Sequence, residues 1–382
     1  MDSIYLDHNA TTPPHPSVLD AVMEVAAANW ANPSSVHRPG QRARAELDRC
    51  RAAVGALAGM HPRDCVLTSG GTEANNLALW QAFLPEDDGV EPAPGALLVS
   101  RIEHPSITAT AEELARRGVE VRWLDVDASG RVEAATVASS IARGPVRLIV
   151  LMAVNHETGV IQPVAEVAEL AKAHGAQLLV DAIQAVGKLP PSTWAGADLV
   201  TVAAHKIRGP KGIGALLTRP GIKLRPLLRG GEQERGLRPG TQDPALAAGF
   251  RVAADRASSG PARYAAIAER RDRLELALLS VAERVGVVTS RNGTAARAPH
   301  VINLSWSGWR SPELCAALDL AGVAVSSGSA CSAGTASPSP VITAMLGAER
   351  AESAVRISLG EDTSDAEIAA AADAFERVLG TS

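Results

Sequence analysis

Short apolar runs of strand length alternate with helix-length stretches through the first two thirds of the chain. The apolar runs lie at residues 65–68, 96–100, 120–124, 148–153, 177–181, 199–203 and 213–217. Helical patterns separate most of them, at residues 72–83, 107–117, 164–174 and, in a shorter stretch, 182–186. Strands that are separated by helices are typical of βαβ units, which pair their strands in parallel through right-handed crossovers. The pattern therefore predicts an α/β fold with a mostly parallel sheet flanked by helices.

The pattern changes after about residue 243. Residues 245–285 are rich in Ala, Arg and Glu and predict helices with a break at 258–261. Strand-like runs follow at 285–289, 300–306, 323–326 and 354–358, and a last helix is predicted at 365–379. We therefore predict a large domain at residues 16–250 and a smaller α+β domain at 251–382, to which residues 1–15 are assigned.

Composition excludes several classes of function. The 382 residues include 37 basic and 42 acidic side chains, so a large nucleic-acid surface or a polybasic membrane patch is not expected. No apolar run approaches the roughly 20 residues that span a bilayer, and the N-terminus carries acids where a signal peptide is basic and then apolar. The four cysteines form no CxxC pair, which argues against zinc, iron–sulfur and disulfide frameworks. We expect a soluble, cytoplasmic protein without a metal site.

Polar residues cluster directly after the predicted strands, where open α/β sheets bind their ligands. Residues 68–72, Thr-Ser-Gly-Gly-Thr, join a strand to a helix and suit a phosphate, although an ordinary capped turn has the same pattern. Asp181 ends an apolar run, where it could hold the protonated nitrogen of a pyridine ring or cap a helix. Gln184 follows one turn later and could donate to a ring oxygen.

Basic side chains follow two other predicted strands. Lys206, beside His205, could lose its proton and form a Schiff base, and Lys211 in the loop 209–212 is the competing lysine. His104 could stack on a flat ring or serve only the fold. These residue types, in this order, indicate a site for an aromatic phosphate.

Cys331 and Arg356 are the candidates in the last third. Cys331 lies in a segment at 326–340 that is rich in Gly, Ser and Pro, where a thiol could be an exposed, mobile nucleophile or incidental. Arg356 lies in a strand-like run and could bind an α-carboxylate through two parallel hydrogen bonds or face solvent. The remaining cysteines lie in regular patterns and are expected to be buried: Cys50, Cys65 and Cys315.

Together these residues resemble the cysteine desulfurases, within the class V aminotransferase-like group of pyridoxal-phosphate enzymes of fold type I. The resemblance runs from the motif Tyr-Leu-Asp-His-Asn-Ala-Thr-Thr-Pro at residues 5–13 to the last helix. Its most specific motifs are TSGGTE at 68–73, VDAIQ at 180–184, HKIRGPKGIG at 205–214, RPGT at 238–241 and SSGSAC at 326–331. The last is similar to the first of two desulfurase groups, which has the longer, mobile cysteine loop.

The resemblance implies a pyridoxal 5′-phosphate cofactor and L-cysteine as substrate. Lys206 would bind the cofactor covalently, Lys206 or His104 would remove the α-proton, and Cys331 would accept the sulfur as a persulfide for an acceptor protein. The residues implied to bind the cofactor are Gly71, Thr72, His104, Asn155, Asp181, Gln184, His205, Lys206 and Thr241, the last reaching in from the other subunit of a homodimer. Those implied to bind the substrate are Asn32, Asn155 and Arg356.

The chain departs from the family pattern in three places. Ala203 stands where the family usually has a serine that contacts phosphate, and the family's Asn-Asn-Glu is Asn-His-Glu at 155–157. The chain also ends soon after its last helix, without the extension with which housekeeping members dock an iron–sulfur scaffold. We therefore expect a specialised sulfur acceptor, such as one in DNA phosphorothioation, tRNA thiolation or a thio-cofactor pathway.

Two rival interpretations remain open. One is a related pyridoxal-phosphate lyase or aminotransferase acting on another amino acid, selenocysteine included, for which Cys331 would be dispensable. The other is a scaffold protein that has kept the fold and lost catalysis. The presence of Lys206, Asp181 and Cys331 argues against this second interpretation.

Overall fold

A seven-stranded sheet forms the centre of the larger part of the molecule. The computed structural model describes residues 3–85, 94–328 and 338–380. The strands of this sheet are β2 (Cys65–Thr68), β3 (Ala96–Ser100), β4 (Val121–Leu124), β5 (Val146–Met152), β6 (Gln177–Asp181), β7 (Leu199–Ala203) and β8 (Gly214–Thr218), in the order β2-β8-β7-β6-β5-β3-β4. Only β8 is antiparallel to its two neighbours, and the other six strands run in one direction. The predicted α/β fold with a mostly parallel sheet is confirmed.

Helices cover both faces of this sheet, which explains why its strands are continuous apolar runs. One face packs on α3 (Gly71–Phe83) and α4 (Pro105–Arg116). The other face packs on α2 (Arg38–Ala58), α5 (Ala134–Ile141), α6 (Val164–Ala173) and α7 (Pro244–Ala257). Helix α1 (Pro16–Ala28) lies against α7. Along β5, Leu148 and Val150 belong to one core while Ile149 and Leu151 belong to the other, as the two-residue period of a strand requires.

The last third builds a second core around a small antiparallel sheet. Its strands are β9 (Thr289–Arg291), β10 (Val301–Trp306) and β12 (Ala354–Ser358), in the order β12-β10-β9. The helices of this part are α8 (Gly260–Ala265), α9 (Ala268–Val285), α10 (Ser311–Leu320), α11 (Pro340–Leu346), α12 (Ala348–Glu352) and α13 (Asp365–Leu379). Near the N-terminus, β1 (Ile4–Tyr5) pairs in parallel with β11 (Val323–Ala324), and Leu6 lies in this second core.

The two cores support the proposed division into two domains, with residues 1–15 joined to the smaller one. The predicted boundary at residue 250 falls within α7. Ala253, Ala254 and Ala257, in the last turns of α7, pack on the larger core. A division after α7 would therefore follow the cores more closely. Within the described residues, no helix is both long and apolar enough to cross a membrane.

Two predicted elements are wrong. The short helix predicted at 182–186 is a series of turns, because Gly187 adopts a positive φ of 74° and ends the single helical turn there. The strand predicted at 285–289 is the end of α9 followed by Gly286, whose φ of 77° terminates the helix, and the strand begins only at Thr289. In both places a glycine set the backbone direction, which the apolar pattern does not show.

Candidate functional site

Most of the candidate residues meet in one cavity of about 160 Å³ at the carboxyl ends of the strands. Each of the parallel strands near the centre of the sheet delivers a side chain or a helix start to it. The predicted residues that line the cavity are Gly71, Thr72, His104, Asp181, Gln184, His205, Lys206 and Arg356. Two departures from the family pattern, His156 and Ala203, line it as well. The residues that follow the parallel strands therefore lie around one cavity, at the edge of the sheet where α/β proteins bind their ligands.

The carboxylate of Asp181, at the end of β6, is oriented by the hydrogen bonds that it accepts. Its Oδ2 accepts from Asn75 Nδ2 and its Oδ1 from the main-chain N–H of Ile183, each at 3.0 Å. The orientation of the Asn75 amide is itself set, because Thr201 Oγ1 donates to Asn75 Oδ1 at 2.8 Å. A carboxylate oriented in this way keeps lone pairs with which it can accept from a protonated ring nitrogen.

The start of α3 provides a place for an anion. Gly71 and Thr72 lie in the first turn of this 13-residue helix, where main-chain N–H groups are unpaired within the helix and the dipole favours negative charge. A Cβ at Gly71 would lie 2.3 Å from Ile183 Cδ1, so a larger residue there would require the Ile183 side chain to move. Ala203 faces the same region and offers no hydroxyl, so the expected loss of one hydrogen bond from that position agrees with the geometry.

Residues 7–12, which we call the N-terminal strap, complete the cavity. Lys206 Nζ donates to the main-chain oxygens of Asn9 at 2.5 Å and Ala10 at 2.8 Å. Thr12 Oγ1 donates to the main-chain oxygen of His205 at 2.7 Å. The strap was not among the residues that the sequence predicted to form the site, although its polar side chains, which begin two residues after β1, were a signal that could have found it.

The structure separates the two candidate lysines. Lys206 lines the cavity, whereas Lys211 is exposed and is not among the residues that line it. The choice between them, which the sequence left open, is therefore made by the turn that follows β7.

The histidines of the cavity are held uncharged at neutral pH by their surroundings. Burial lowers the pKa of His205 to about 4, and the positive charges of Lys206, Lys188 and Lys211 add to the effect. Burial also lowers the pKa of His104, against the opposing charge of Asp181. His104 caps α4 through Nδ1, which accepts from the Ser106 main-chain N–H at 3.1 Å. Its ring is thereby fixed at the rim of the cavity.

Arg356 is almost completely buried beside the strap. Its Nη2 donates to Asp7 Oδ1 at 2.6 Å and its Nη1 to the main-chain oxygen of His156 at 3.0 Å. Its Nε has no hydrogen-bond partner among the described residues. A guanidinium that faces a cavity with an unpaired buried donor is suited to an anionic ligand such as a carboxylate.

Position 156, rather than 155, faces the cavity. Asn155 is fully buried, and its Oδ1 accepts from the main-chain N–H groups of Glu157 at 3.0 Å and Thr158 at 2.8 Å. His156 lines the cavity with its ring edge-on to His104 at 5.3 Å, and neither of its ring nitrogens has a hydrogen-bond partner within the described parts of the chain. This geometry does not support the predicted contact between Asn155 and a ligand. Asn155 instead stabilises the turn that places His156 at the cavity.

Two further predicted residues are not brought to the cavity within one chain. Asn32 and Thr241 are exposed and do not line it, and Asn32 Oδ1 accepts from the main-chain N–H of Ser34 at 2.9 Å. Cys331 lies outside the described residues. Ser326, which precedes it, pairs with Arg356 through two main-chain hydrogen bonds of 3.1 and 2.8 Å. The roles of these three residues remain predictions.

The other cysteines are unsuited to nucleophilic chemistry. Cys50 and Cys65 are buried and Cys315 is half-buried. Burial raises the pKa of Cys65 and of Cys315 to about 12, and it also raises that of Cys50. Because the thiolate is the reactive form, none of these three cysteines is suited to the nucleophilic role that the sequence predicts for Cys331.

The buried histidines predict a loss of stability in acid. Burial lowers the pKa of His8 and of His205 from 6.5 to about 4. Between pH 6.5 and 4 the unfolded chain therefore binds protons that the folded chain does not, so the free energy of unfolding should decrease as the pH falls through this window. Thermal melts at pH 7, 6 and 5 should give a steadily decreasing Tm. The variant H8Q should show a shallower decrease, and a Tm independent of pH would contradict the assignment.

Comparisons with known proteins agree with this geometry. A family model described as aminotransferase class-V matches residues 4–370. The chain is 39% identical over 364 residues to a putative cysteine desulfurase, IscS 1, of Bacillus subtilis (strain 168), with 94% of each chain covered. It is similar to a solved NifS-like protein, with a TM-score of 0.88, 28% identity and 100% of both chains covered. It is also similar to SspA solved in complex with cysteine, with a TM-score of 0.79, 30% identity and 93% of this chain and 98% of that one covered.

These similarities are distributed over the whole chain rather than confined to one motif. They include the strand-end residues of the large sheet and the smaller second part, since the family model extends to residue 370. A relative that is 39% identical over nearly the full length shares both the fold and the family. The chain therefore belongs to the class-V aminotransferase family and, within it, to the cysteine desulfurases.

Proposed function

We propose that this chain is a pyridoxal-phosphate-dependent desulfurase that converts L-cysteine to L-alanine and transfers the sulfur to Cys331. The observation that carries the proposal is the convergence of Lys206, Asp181 and Arg356 on one cavity. An amine that can bind an aldehyde, a carboxylate for a ring nitrogen and a guanidinium for a carboxylate are the groups that an amino-acid enzyme with this cofactor needs.

The residues present fit the cofactor. Gly71, where a Cβ would meet Ile183 Cδ1, and Thr72 would hold the phosphate at the start of α3, and His205 lines the same cavity. Asp181 would hold the ring nitrogen, and Gln184 can donate to a ring oxygen. When bound, pyridoxal phosphate supplies an electron sink that stabilises negative charge at the α-carbon of the substrate.

The side chains of the cavity would orient the substrate and move its α-proton. Arg356 would bind the carboxylate, because its Nε is buried and has no acceptor among the described residues. Lys206 Nζ, held between the Asn9 and Ala10 main-chain oxygens, is positioned to remove the α-proton and to return a proton to the carbon. His104, kept uncharged by burial, would pack against the ring.

Sulfur transfer would then need a thiolate. The Cys331 thiolate would attack the sulfur of the bound L-cysteine, so that an S–S bond forms while the C–S bond breaks. The electron pair of the C–S bond stays with the carbon, which takes up a proton to give alanine. One cysteine and one enzyme thiol thus yield alanine and a persulfide on Cys331, and an acceptor thiol can remove the outer sulfur.

Partners are part of the same proposal. We propose a homodimer in which the exposed Thr241 of one subunit contributes to the phosphate site of the other. We also propose that the acceptor is a protein of a specialised sulfur pathway in the cytoplasm.

The defining experiment measures products. Purified protein supplied with pyridoxal phosphate, L-cysteine and a reductant should release alanine and sulfide in equal amounts. D-Cysteine serves as the control, because it presents its α-proton or its carboxylate on the wrong side of the cavity. Release of pyruvate and ammonia in place of alanine would support a lyase, and formation of a keto acid without sulfide would support an aminotransferase.

His156 is expected to contribute to substrate binding. The His156 ring nitrogens make no hydrogen bond within the described residues, and Nε2 lies 3.6 Å from Glu157 Oε1. A ligand can supply the missing hydrogen bonds, so H156F should raise the KM for L-cysteine about tenfold with a smaller change in kcat. H156N, which keeps a donor, should stay closer to wild type. Steady-state kinetics of the two variants measure the difference, and equal KM values in both would exclude a polar role for this ring.

A further inference from the structure

Lys188 is buried in the turn that follows β6. Its side chain is only 1% exposed, and it does not line the main cavity. Its Nζ donates to Gln184 Oε1 at 2.8 Å. No ion pair with a carboxylate is found for it in the described part of the structure.

An unpaired lysine is an expensive residue to bury. Transfer of an ammonium group out of water is strongly unfavourable, and apolar replacements of buried charges are often tolerated or stabilising. Burial lowers the pKa of Lys188 well below its usual value, and the charges of Lys206 and Arg356 lower it further. Packing alone therefore does not account for a lysine at this position, whereas its bond to Gln184 can.

The Gln184 amide is fixed from both of its ends. Its Nε2 donates to the main-chain oxygen of Asn9 at 2.9 Å, and a carbonyl oxygen can only accept, so Oε1 must face Lys188. The same Asn9 oxygen accepts from Lys206 Nζ at 2.5 Å. A continuous chain of hydrogen bonds thus runs from Lys188 through Gln184 and Asn9 to Lys206.

Asn9 is itself firmly held. Its Nδ2 donates to the main-chain oxygen of His156 at 3.2 Å, and its Oδ1 is 2.8 Å from Nε2 of the buried His300. The main-chain oxygen of Asn9 is therefore fixed in position. The Gln184 amide, which lies between this oxygen and Lys188, could rotate if one of its two hydrogen bonds were removed.

We propose that Lys188 is a positioning residue that acts through Gln184, keeping the amide NH₂ directed toward the cavity and toward the carbonyl that holds Lys206. By satisfying Gln184 Oε1, Lys188 prevents the amide from turning to find another partner. A ligand in the cavity then meets a fixed donor, which suits an anionic ring oxygen. This inference rests on the proposed function only in so far as pyridoxal phosphate is the ligand.

The test compares K188M with wild type by the absorbance of bound pyridoxal phosphate as a function of pH. Methionine has a similar length and no donor. We expect the midpoint of the absorbance change to move to higher pH by about half a unit, because a fixed donor stabilises the ionised ring oxygen. We also expect the apparent Kd for pyridoxal phosphate, measured by equilibrium dialysis, to rise about fivefold.

A double-mutant cycle with Q184L separates positioning from general damage to the fold. K188M should cause no further shift in a Q184L background, because Gln184 is then no longer present to be oriented. K172M, which removes an exposed lysine on α6, is the matched control and should behave as wild type. An equal shift from K188M in both backgrounds, or no shift in either, would overturn the proposal.

K188Q provides a second variant that keeps an N–H for Gln184 Oε1. Its midpoint should lie closer to wild type than that of K188M, and if K188M does not fold, K188L, which also lacks a donor, takes its place in the cycle. A midpoint for K188Q displaced as far as that of Q184L would count against the proposal. Wild type that binds the cofactor but forms no alanine would disprove the proposed function alone, whereas wild type that binds no pyridoxal phosphate would disprove both.

Discussion

Replacement of Lys206 by alanine is expected to lower the rate of alanine formation from L-cysteine by at least about 10⁴-fold. The loss combines two functions of one amine, covalent attachment of the cofactor and movement of the α-proton. The structure gives the reason for the size of the effect. Lys206 Nζ is held by the strap at 2.5 and 2.8 Å within the cavity, and no other lysine lines that cavity in the described part of the chain.

The control for this variant is K211A. Lys211 lies on the loop after Lys206 and is exposed, so its removal tests the effect of losing a nearby positive charge without emptying the cavity. K211A should retain turnover within about a factor of three of wild type. Single-turnover measurements should show that K206A also loses the absorbance band of covalently bound cofactor. Turnover that survives in K206A and disappears in K211A would reverse the assignment.

Replacement of Cys331 by alanine is expected to lower the release of sulfide and alanine by about 10³-fold while leaving cofactor binding unchanged. The expectation follows from the need for a thiolate and from the other three cysteines. Burial raises the pKa of Cys65 and Cys315 to about 12, so neither can replace Cys331 at neutral pH. Mass spectrometry of wild type after one turnover should find a mass increase of one sulfur on Cys331.

C315A serves as the matched control, because Cys315 is half-buried on α10 and its thiol is held protonated. C315A should release alanine and sulfide at the wild-type rate. Alanine formation that continues in C331A would remove the thiol from the mechanism and favour a lyase. Persulfide found on another cysteine would move the nucleophile to that residue.

Much of the site could be predicted from the sequence because strand ends are recognisable. The chain places its polar residues directly after buried apolar runs, and parallel strands bring their carboxyl ends to one edge. Asp181 and Lys206, which lie 25 positions apart, were therefore expected to meet, and they line the same cavity. The predictions failed at 182–186 and 285–289, where Gly187 and Gly286 adopt positive φ values that apolar periodicity does not reveal.

Which residue of the Asn-His-Glu segment at 155–157 faces the cavity could not be predicted from the sequence. Asn155 and His156 are adjacent polar residues after the same strand, and nothing in their order shows which of them faces a ligand. The turn determines which residue faces the cavity, because Asn155 Oδ1 accepts from the main-chain N–H groups of Glu157 and Thr158 and is therefore directed into the turn. Local hydrogen bonds of this kind depend on the backbone path and not on residue type alone.

The sequence by itself determined the α/β fold, the order of the strands along the chain and the chemical types of the cavity residues, since periodicity and strand-end polarity are local properties. Only the tertiary structure decided which lysine enters the cavity, that the N-terminal strap supplies the carbonyls that hold it, and that Lys188 contacts Gln184. Asn9 and Lys206 are separated by 197 residues, so no local pattern could have shown their contact. Long-range hydrogen bonds form only where packing places their donors and acceptors together.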